Sequence, residues 1–451
     1  MSSEGMAPRP VFTEGSTMRH VLVMTAAASV GLMSIFLVDL LSLLYVSRLG
    51  DPNLTAAVGF ATQVLFFSVS INIGLSIAIS ALVSRATGAG QRIAARRLAA
   101  SGLVHVFLIA AAVSCAALPL RREILALFGA RGEALDVSST YLAITLPATI
   151  FLGLGMALAG ILRAVGDARR AMFVTLSGAI VTAVLDPIFI FGLGLGVDGA
   201  AMVTLLSRLV FVAVGLYGAV RMRDLIAWPA GKAVLCDFPA MMAIAVPAIL
   251  TNLATPVASA YSMRIFSHFG DAVVAAFAII DRVNPVAFGV LFALSGSVGP
   301  IMGQNLGARL MPRVRQVLSN CLLFAAIYVV VVALLLRLAA PLVVDIFDAR
   351  GETAGLVRFL CAYGGALWFF LGGIFVANAA FNNLGFPILS TVFNWGRATL
   401  GAIPFVTIGA DRFGPEGGFV GLVVGSALFG VGAVVTAYLV TARLAKRPKF
   451  A

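Results

Sequence analysis

The sequence predicts an all-α integral membrane protein with twelve transmembrane helices, arranged as two six-helix bundles related by a parallel internal repeat. Three observations lead there. Hydrophobic residues make up 61% of the 451 positions and charged residues only 11%, so water is the wrong reference solvent for most of this surface. Long apolar runs recur along the whole chain, separated by short loops that carry Gly, Pro and charge. The second half also repeats landmarks of the first at a near-constant offset.

The runs must be helices, because the bilayer core offers no water to satisfy backbone groups and strand-like alternation is missing. A span needs about 20 apolar residues. Twelve segments meet that need: 20–47, 54–84, 96–118, 137–162, 169–193, 199–220, 238–266, 274–304, 314–338, 355–383, 387–409 and 417–442. The first is too long for a signal-peptide core and no small-residue cleavage site follows it, so the N-terminus is expected to be retained. Residues 1–18, with Pro8 and Pro10, read as a disordered lead. The N-lobe is then 19–220, the cytoplasmic linker 221–237, the C-lobe 238–443 and a basic cytoplasmic tail 444–451.

The repeat appears when the sequence is slid against itself. VSRLGDPNLTAAV (46–58) falls on IFSHFGDAVVAAF (265–277), and SRATGAG (84–90) on GQNLGAR (303–309). ALFGARGEAL (126–135) matches DIFDARGETA (345–354), and LRAVGD (162–167) lies over FNNLGF (381–386). Each half holds an even number of spans, so both enter the membrane in the same direction. That parallel relation is one that alternating-access transporters use.

With the N-terminus taken as cytoplasmic, 19 of the 31 Lys and Arg residues fall on that side, which places both termini in the cytoplasm. The same distribution removes nucleic-acid binding as the meaning of a net charge of +12, since the basic residues sit in short loops beside spans and suit anionic lipid. A multi-pass protein of the cell (inner) membrane follows, with the lipid bilayer as its partner and no nucleic acid. The four Cys are isolated and the three His share no ligand spacing, so no disulfide, zinc site or convergent enzyme centre is expected. A phosphate-cradling GxxxxGK[ST] loop is missing, so no ATP engine is visible and no cofactor is expected.

Charges inside spans carry the chemistry. A carboxylate in hydrocarbon is expensive and faces a bundle interior or water. Asp39, in SIFLVDLLSLLYV, and Asp186 are the clearest cases. Asp39 lies nine residues before Arg48 and Asp186 twelve before Asp198, depths of about 13 and 18 Å at the helical rise, so both can open onto one pocket. Thr182, one turn before Asp186, shares its face, and Thr204 can offer another oxygen. Such a set can take up and release a proton, or ligate a hard monovalent cation such as sodium at Asp39, Thr182, Asp186 and Thr204. In span 8, Asp281 and Arg282 are neighbours pointing about 100° apart. Either Arg282 pairs with a carboxylate elsewhere or Asp281 contacts cationic substrate. Arg208 and Arg397, deep in their spans, read as structural.

The loops RLGDPNLTAAVG and HFGDAVVAAFA, the LRAVGD stretch, and Leu185, Asp186 and Pro187 in span 5 together resemble the multidrug and toxic compound extrusion (MATE) transporters. The resemblance covers roughly residues 15–445. It implies two six-helix bundles forming a V-shaped cleft, and cation-driven export of drug-like compounds by a protein that is not an enzyme. It also carries the coupling roles onto Asp39, Asp186 and Thr204, with Thr182 where the family has Asn. The family's other pattern puts carboxylates in spans 7 and 10, but this chain has Thr255 in the first place and no acid in span 10. That favours the branch typified by DNA-damage-inducible protein F and puts coupling in the first lobe. The expected cargo is amphipathic organic cations, exchanged for inward H+ or Na+ by a monomer. Asp39, Met33, Phe36, Phe66, Met156, Asp281, Phe288, Asn378 and Asn382 are candidates for binding it. The alternative within the superfamily is a lipid-linked sugar flippase.

Overall fold

A computed structural model of the chain describes residues 10–49 and 51–446. Among the described residues all regular structure is helical. Seven α-helices precede the linker: α1 (Thr17–Ser47), α2 (Pro52–Gly88), α3 (Arg92–Ala117), the short α4 (Arg121–Leu127), α5 (Gly132–Ala164), α6 (Ala168–Pro187) and α7 (Gly196–Leu216). Six follow it: α8 (Gly231–Ser267), α9 (Asp271–Gly307), α10 (Met311–Ile346), α11 (Gly351–Leu384), α12 (Pro387–Gly396) and α13 (Ile403–Ala445).

Among the described residues eleven helical stretches are long and apolar enough to cross a membrane, and the last of them, Pro387–Ala445, contains two spans. It turns at Phe413 and Gly414, where Gly414 takes φ +68°, a conformation that glycine adopts without a Cβ penalty. Beyond the turn the chain runs back on itself. A Cβ on Gly417 would meet the Gly409 carbonyl, one on Gly421 the Phe405 carbonyl, and one on Gly425 the Gly401 carbonyl. This antiparallel stripe of small residues lets two backbones touch, the usual route to helix packing in lipid. The twelve expected spans are therefore present.

The chain divides into two compact units, Val30–Ile249 and Phe12–Ser29 with Leu250 onward. In the first, α5 packs against α2, α3 and α7, and α6 against α7; in the second, α11 packs against α9, α10 and α13. The dividing lines fall inside α1 and α8, where the sequence places them at 18/19 and in 221–237. The opening halves of spans 1 and 7 each belong to the unit that the sequence assigns to the other lobe.

Hydrogen bonds give the reason. In the second unit Phe12, only 2% exposed, donates its N–H to Gln304 Oε1 at 3.0 Å. Arg313 donates to the carbonyls of Phe12 and Gly15, and Asn320 Nδ2 to Thr17 Oγ1 at 2.7 Å. In the first unit His105 Nε2 donates to the Val234 carbonyl, while Asp237 accepts from Arg97 and Ser101. The lead expected to be disordered over 1–18 thus includes a 3-10 turn at Val11–Thr13 and the start of α1. The rest of that expectation, residues 1–9, lies outside the described residues.

Three spans change pitch, two near one end and one in mid-span. α6 passes into a π-helical turn at Ile188–Gly192 directly after Pro187, α7 into one at Tyr217–Met222, and α12 into one at Arg397–Gly401. Each inserts a residue into the i→i−4 ladder and so re-aims the side chains beyond it.

Candidate cation-coupling site

Four helices of the first unit bring polar groups to one place. Asp39 and Ser42 come from α1, Tyr141 from α5, Asp186 and Thr182 from α6, and Thr204 and Arg208 from α7. Asp186 is 1% exposed, whereas Asp39 is exposed, so one carboxylate is interior and the other accessible. They are close enough for their charges to act on each other.

Hydrogen bonds order this cluster. The Ser42 hydroxyl donates to Oδ2 of Asp186, tying α1 to α6. The other oxygen of Asp186, Oδ1, is buried and among the described residues accepts no hydrogen bond. Thr204 Oγ1 donates to the Ala200 carbonyl at 3.0 Å. The hydroxyl of Tyr141 lies beside Thr204. Thr182 Oγ1 donates to the Gly178 carbonyl at 3.0 Å, within its own helix.

Arg208 supplies a fixed positive charge. Its guanidinium interacts with Asp39 and Tyr141 and lies 5.0 Å above the ring centre of Phe211. Phe211 is itself fixed, because its ring fills the space left at Gly155 and Gly178, where a Cβ would overlap it. The sequence reads Arg208 as structural and deep enough to need a partner; in the structure it lies near enough to Asp39 for the two charges to act on each other. Its signal was present: Arg208 follows Thr204 by one turn, on the same helix face. Ser42, three residues after Asp39, carried the same kind of signal. Tyr141 carried none beyond being a polar group within a span.

As a hard-cation site the set has two carboxylates and several hydroxyls, but Thr182 is engaged by its helix and a permanent cation faces Asp39. Among the described residues no cluster of three or more His, Cys, Asp or Glu side chains could hold a metal. The unpartnered Oδ1 of Asp186 is an oxygen where a proton or a cation can sit.

The residues expected to contact cargo are scattered. Met33, Phe36 and Met156 are half-buried and Phe66 is exposed, all in the first unit. In the second unit Asp281 and Arg282 are both exposed, and neither forms an ion pair among the described residues. Phe288 is fully buried and stacks on Trp368, with ring centres 4.8 Å apart, so it is core and offers no surface to a ligand. Asn378 and Asn382 are also buried, in hydrogen bonds between α11 and α12.

The MatE family model matches this chain twice, over residues 27–188 and 247–408, which is the internal repeat seen from outside. A protein of Shewanella oneidensis named FAD transporter is 29% identical over 425 residues, 92% of each chain. The multidrug export protein MepA of Staphylococcus aureus is 21% identical over 449 residues, 96% of each chain. Among solved structures, a superfamily transporter from Pyrococcus furiosus superposes with a TM-score of 0.90 at 22% identity, covering 99% of this chain and 100% of that one. A MATE transporter of Vibrio cholerae does so with a TM-score of 0.89 at 24% identity, covering 96% and 98%. Both likenesses are of fold.

Proposed function

Because this chain belongs to the MatE family of membrane transporters, we propose that it is a secondary antiporter that exports amphipathic organic compounds by alternating access, in exchange for inward protons. The observation that carries this reading is the pairing of an exposed and a buried carboxylate, Asp39 and Asp186, beside the fixed charge of Arg208.

Each member has a role in the proposal. Asp39 receives the proton from the accessible side. Asp186 shares it, since two close carboxylates in a low dielectric resist being ionised together. Ser42 links that protonation to the packing of α1 on α6. Tyr141 and Thr204 hold the polar wall, and Thr182 serves its own helix. Sodium is the weaker candidate, because a sodium ion at Asp39 would be repelled by the guanidinium already there.

The cargo follows less directly. The accessible carboxylate of Asp39 supports cationic amphiphiles, in keeping with the multidrug exporters among the relatives. A second reading has its own support: the relative named FAD transporter shares 29% identity over 92% of both chains, so anionic dinucleotides are proposed beside the cations. The protein is proposed to work as a monomer in the inner membrane with both termini in the cytoplasm. Lipid-linked sugars are the remaining alternative.

Uptake of ethidium and of FAD into everted vesicles tests the proposal, with proton and sodium gradients imposed separately. Uptake of either probe that follows the proton gradient alone is the expected outcome. Uptake that follows only sodium overturns the proton assignment, and transport of a lipid-linked sugar in place of both probes overturns the cargo.

A further inference from the structure

The second unit contains a buried cation that the coupling site leaves unused. Arg397 is 5% exposed, and among the described residues no carboxylate pairs with it. Its one side-chain hydrogen bond is a long one, from Nη2 to Thr255 Oγ1 at 3.4 Å, while Nε is buried with no partner. A guanidinium has five donors and is always charged, so this is a costly group to hold inside a bundle unless something else meets it.

Along the same helix face run neutral hydrogen-bonding groups. Ser390, Asn394 and Arg397 are spaced by four and three residues, which puts them on one stripe of α12 and its π-helical continuation. Opposite them on α11 lie Asn378 and Asn382, also one turn apart. Asn394 Nδ2 donates to Asn378 Oδ1 at 2.9 Å, and Ser390 Oγ donates to Asn382 Oδ1 at 3.3 Å. The π-helical turn begins at Arg397 and is braced by Phe429, whose ring occupies the space where a Cβ on Gly396 would be. At the far end of the seam Thr255 is exposed, so the Nη2 edge of the guanidinium lies one side chain beneath the surface of the unit.

We propose that Arg397, at the end of this seam, is an anion-recognition site that takes a carboxylate or phosphate group of the exported compound. The planar fork of donors matches both groups bidentately, which no lysine or amide does. Thr255 is the gatepost: its hydroxyl holds Nη2 while the site is empty and is displaced when the anionic group arrives. Exported molecules then include anionic and zwitterionic amphiphiles, with Asp39 and Asp186 left to the coupling cation. The proposal rests on the exporter reading given above.

Everted vesicles under an imposed proton gradient test it, with FAD as the anionic probe and ethidium as the cationic one. Arg397→Gln is expected to lower FAD uptake about tenfold, the loss of a charged hydrogen-bond pair, and to leave ethidium uptake near the wild-type rate. Arg397→Lys is expected to restore part of the FAD rate. Unchanged FAD uptake in Arg397→Gln overturns the proposal, as does an equal loss of both probes, which marks a packing residue. Wild-type vesicles that move ethidium but no FAD overturn this proposal alone, whereas vesicles that move neither overturn the exporter reading and this one with it. Thermal unfolding of the purified protein separates cargo from a free ion. FAD should raise the midpoint of the wild type but not of Arg397→Gln, and inorganic phosphate or chloride that raises it equally assigns the site to a free anion and overturns the role in cargo recognition.

Discussion

The hydroxyl of Ser42 on α1 donates to the carboxylate of Asp186 on α6, across 144 residues of sequence. This bond joins the helix that carries the accessible Asp39 to the helix that carries the buried acid. In the proposed mechanism, protonation of Asp186 bears directly on how α1 packs. Asp39→Asn and Asp186→Asn should each reduce gradient-driven probe uptake in everted vesicles to the level of vesicles without the protein. Ser42→Ala should slow uptake without abolishing it and lower thermal stability by about 2 kcal/mol, the worth of a hydrogen bond to a charged group.

In the proposed mechanism, Arg208 is what favours a proton over sodium. Arg208→Met removes the fixed charge beside Asp39 while keeping an apolar stem over Phe211. The wild type should unfold at the same temperature in sodium and in potassium buffers. The variant should gain a sodium-dependent rise in its midpoint, because the repulsion that kept a second cation away is gone.

Gly178 matters for its missing side chain. A Cβ there would overlap the ring of Phe211, on which Arg208 rests. Gly178→Ala should destabilise the first unit by about 1–3 kcal/mol through overpacking. Thermal unfolding in detergent checks this, and Phe211→Leu in the same chain should relieve much of the loss.

Much of this was legible in the sequence. The spans and the repeat were readable, because hydropathy responds to the same solvent that sets the fold. The turn at Phe413 and Gly414 that separates the last two spans was readable from Gly414, Pro415 and Glu416. What escaped was long-range. Phe12 reads as part of a loose lead until Gln304 and Arg313 are brought to it, some 300 residues along the chain. Phe288 looks like cargo lining until Trp368 covers it. Arg208 and Arg397 resemble each other in sequence, and only the tertiary neighbours separate a cation set against a carboxylate from one set against none.

Outside the membrane, Asp167 caps α6 and accepts hydrogen bonds from both Arg170 and Arg223. Burial pushes its carboxyl up, but those bonds outweigh it and hold the group below its usual range. A carboxylate held low in the folded state stabilises the fold above its unfolded pKa, and that stability is lost as pH falls through the folded value. Asp167→Ala should therefore cost about 2 kcal/mol at neutral pH, a figure reduced because both arginines are partly exposed. The difference from wild type should shrink as pH falls through and below the usual carboxylate range, as thermal unfolding across a pH series would register.

The N-terminal turn should contribute stability as well. Phe12→Ala removes a ring that is 2% exposed in the second unit and should lower stability by about 3 kcal/mol. Arg313→Ala should weaken the same anchor by removing the donors to the Phe12 and Gly15 carbonyls. Limited proteolysis near residue 12 would report both.

The central claim is that export is driven by protons passing through the Asp39 and Asp186 pair. The most direct measurement is proton movement itself, followed with a pH-sensitive dye trapped in proteoliposomes when ethidium or FAD is added. Wild-type protein should move protons opposite to the probe, in sodium-free buffer, and Asp186→Asn should move none. Probe transport by wild type with no accompanying proton movement, or an undiminished proton signal in Asp186→Asn, would contradict it.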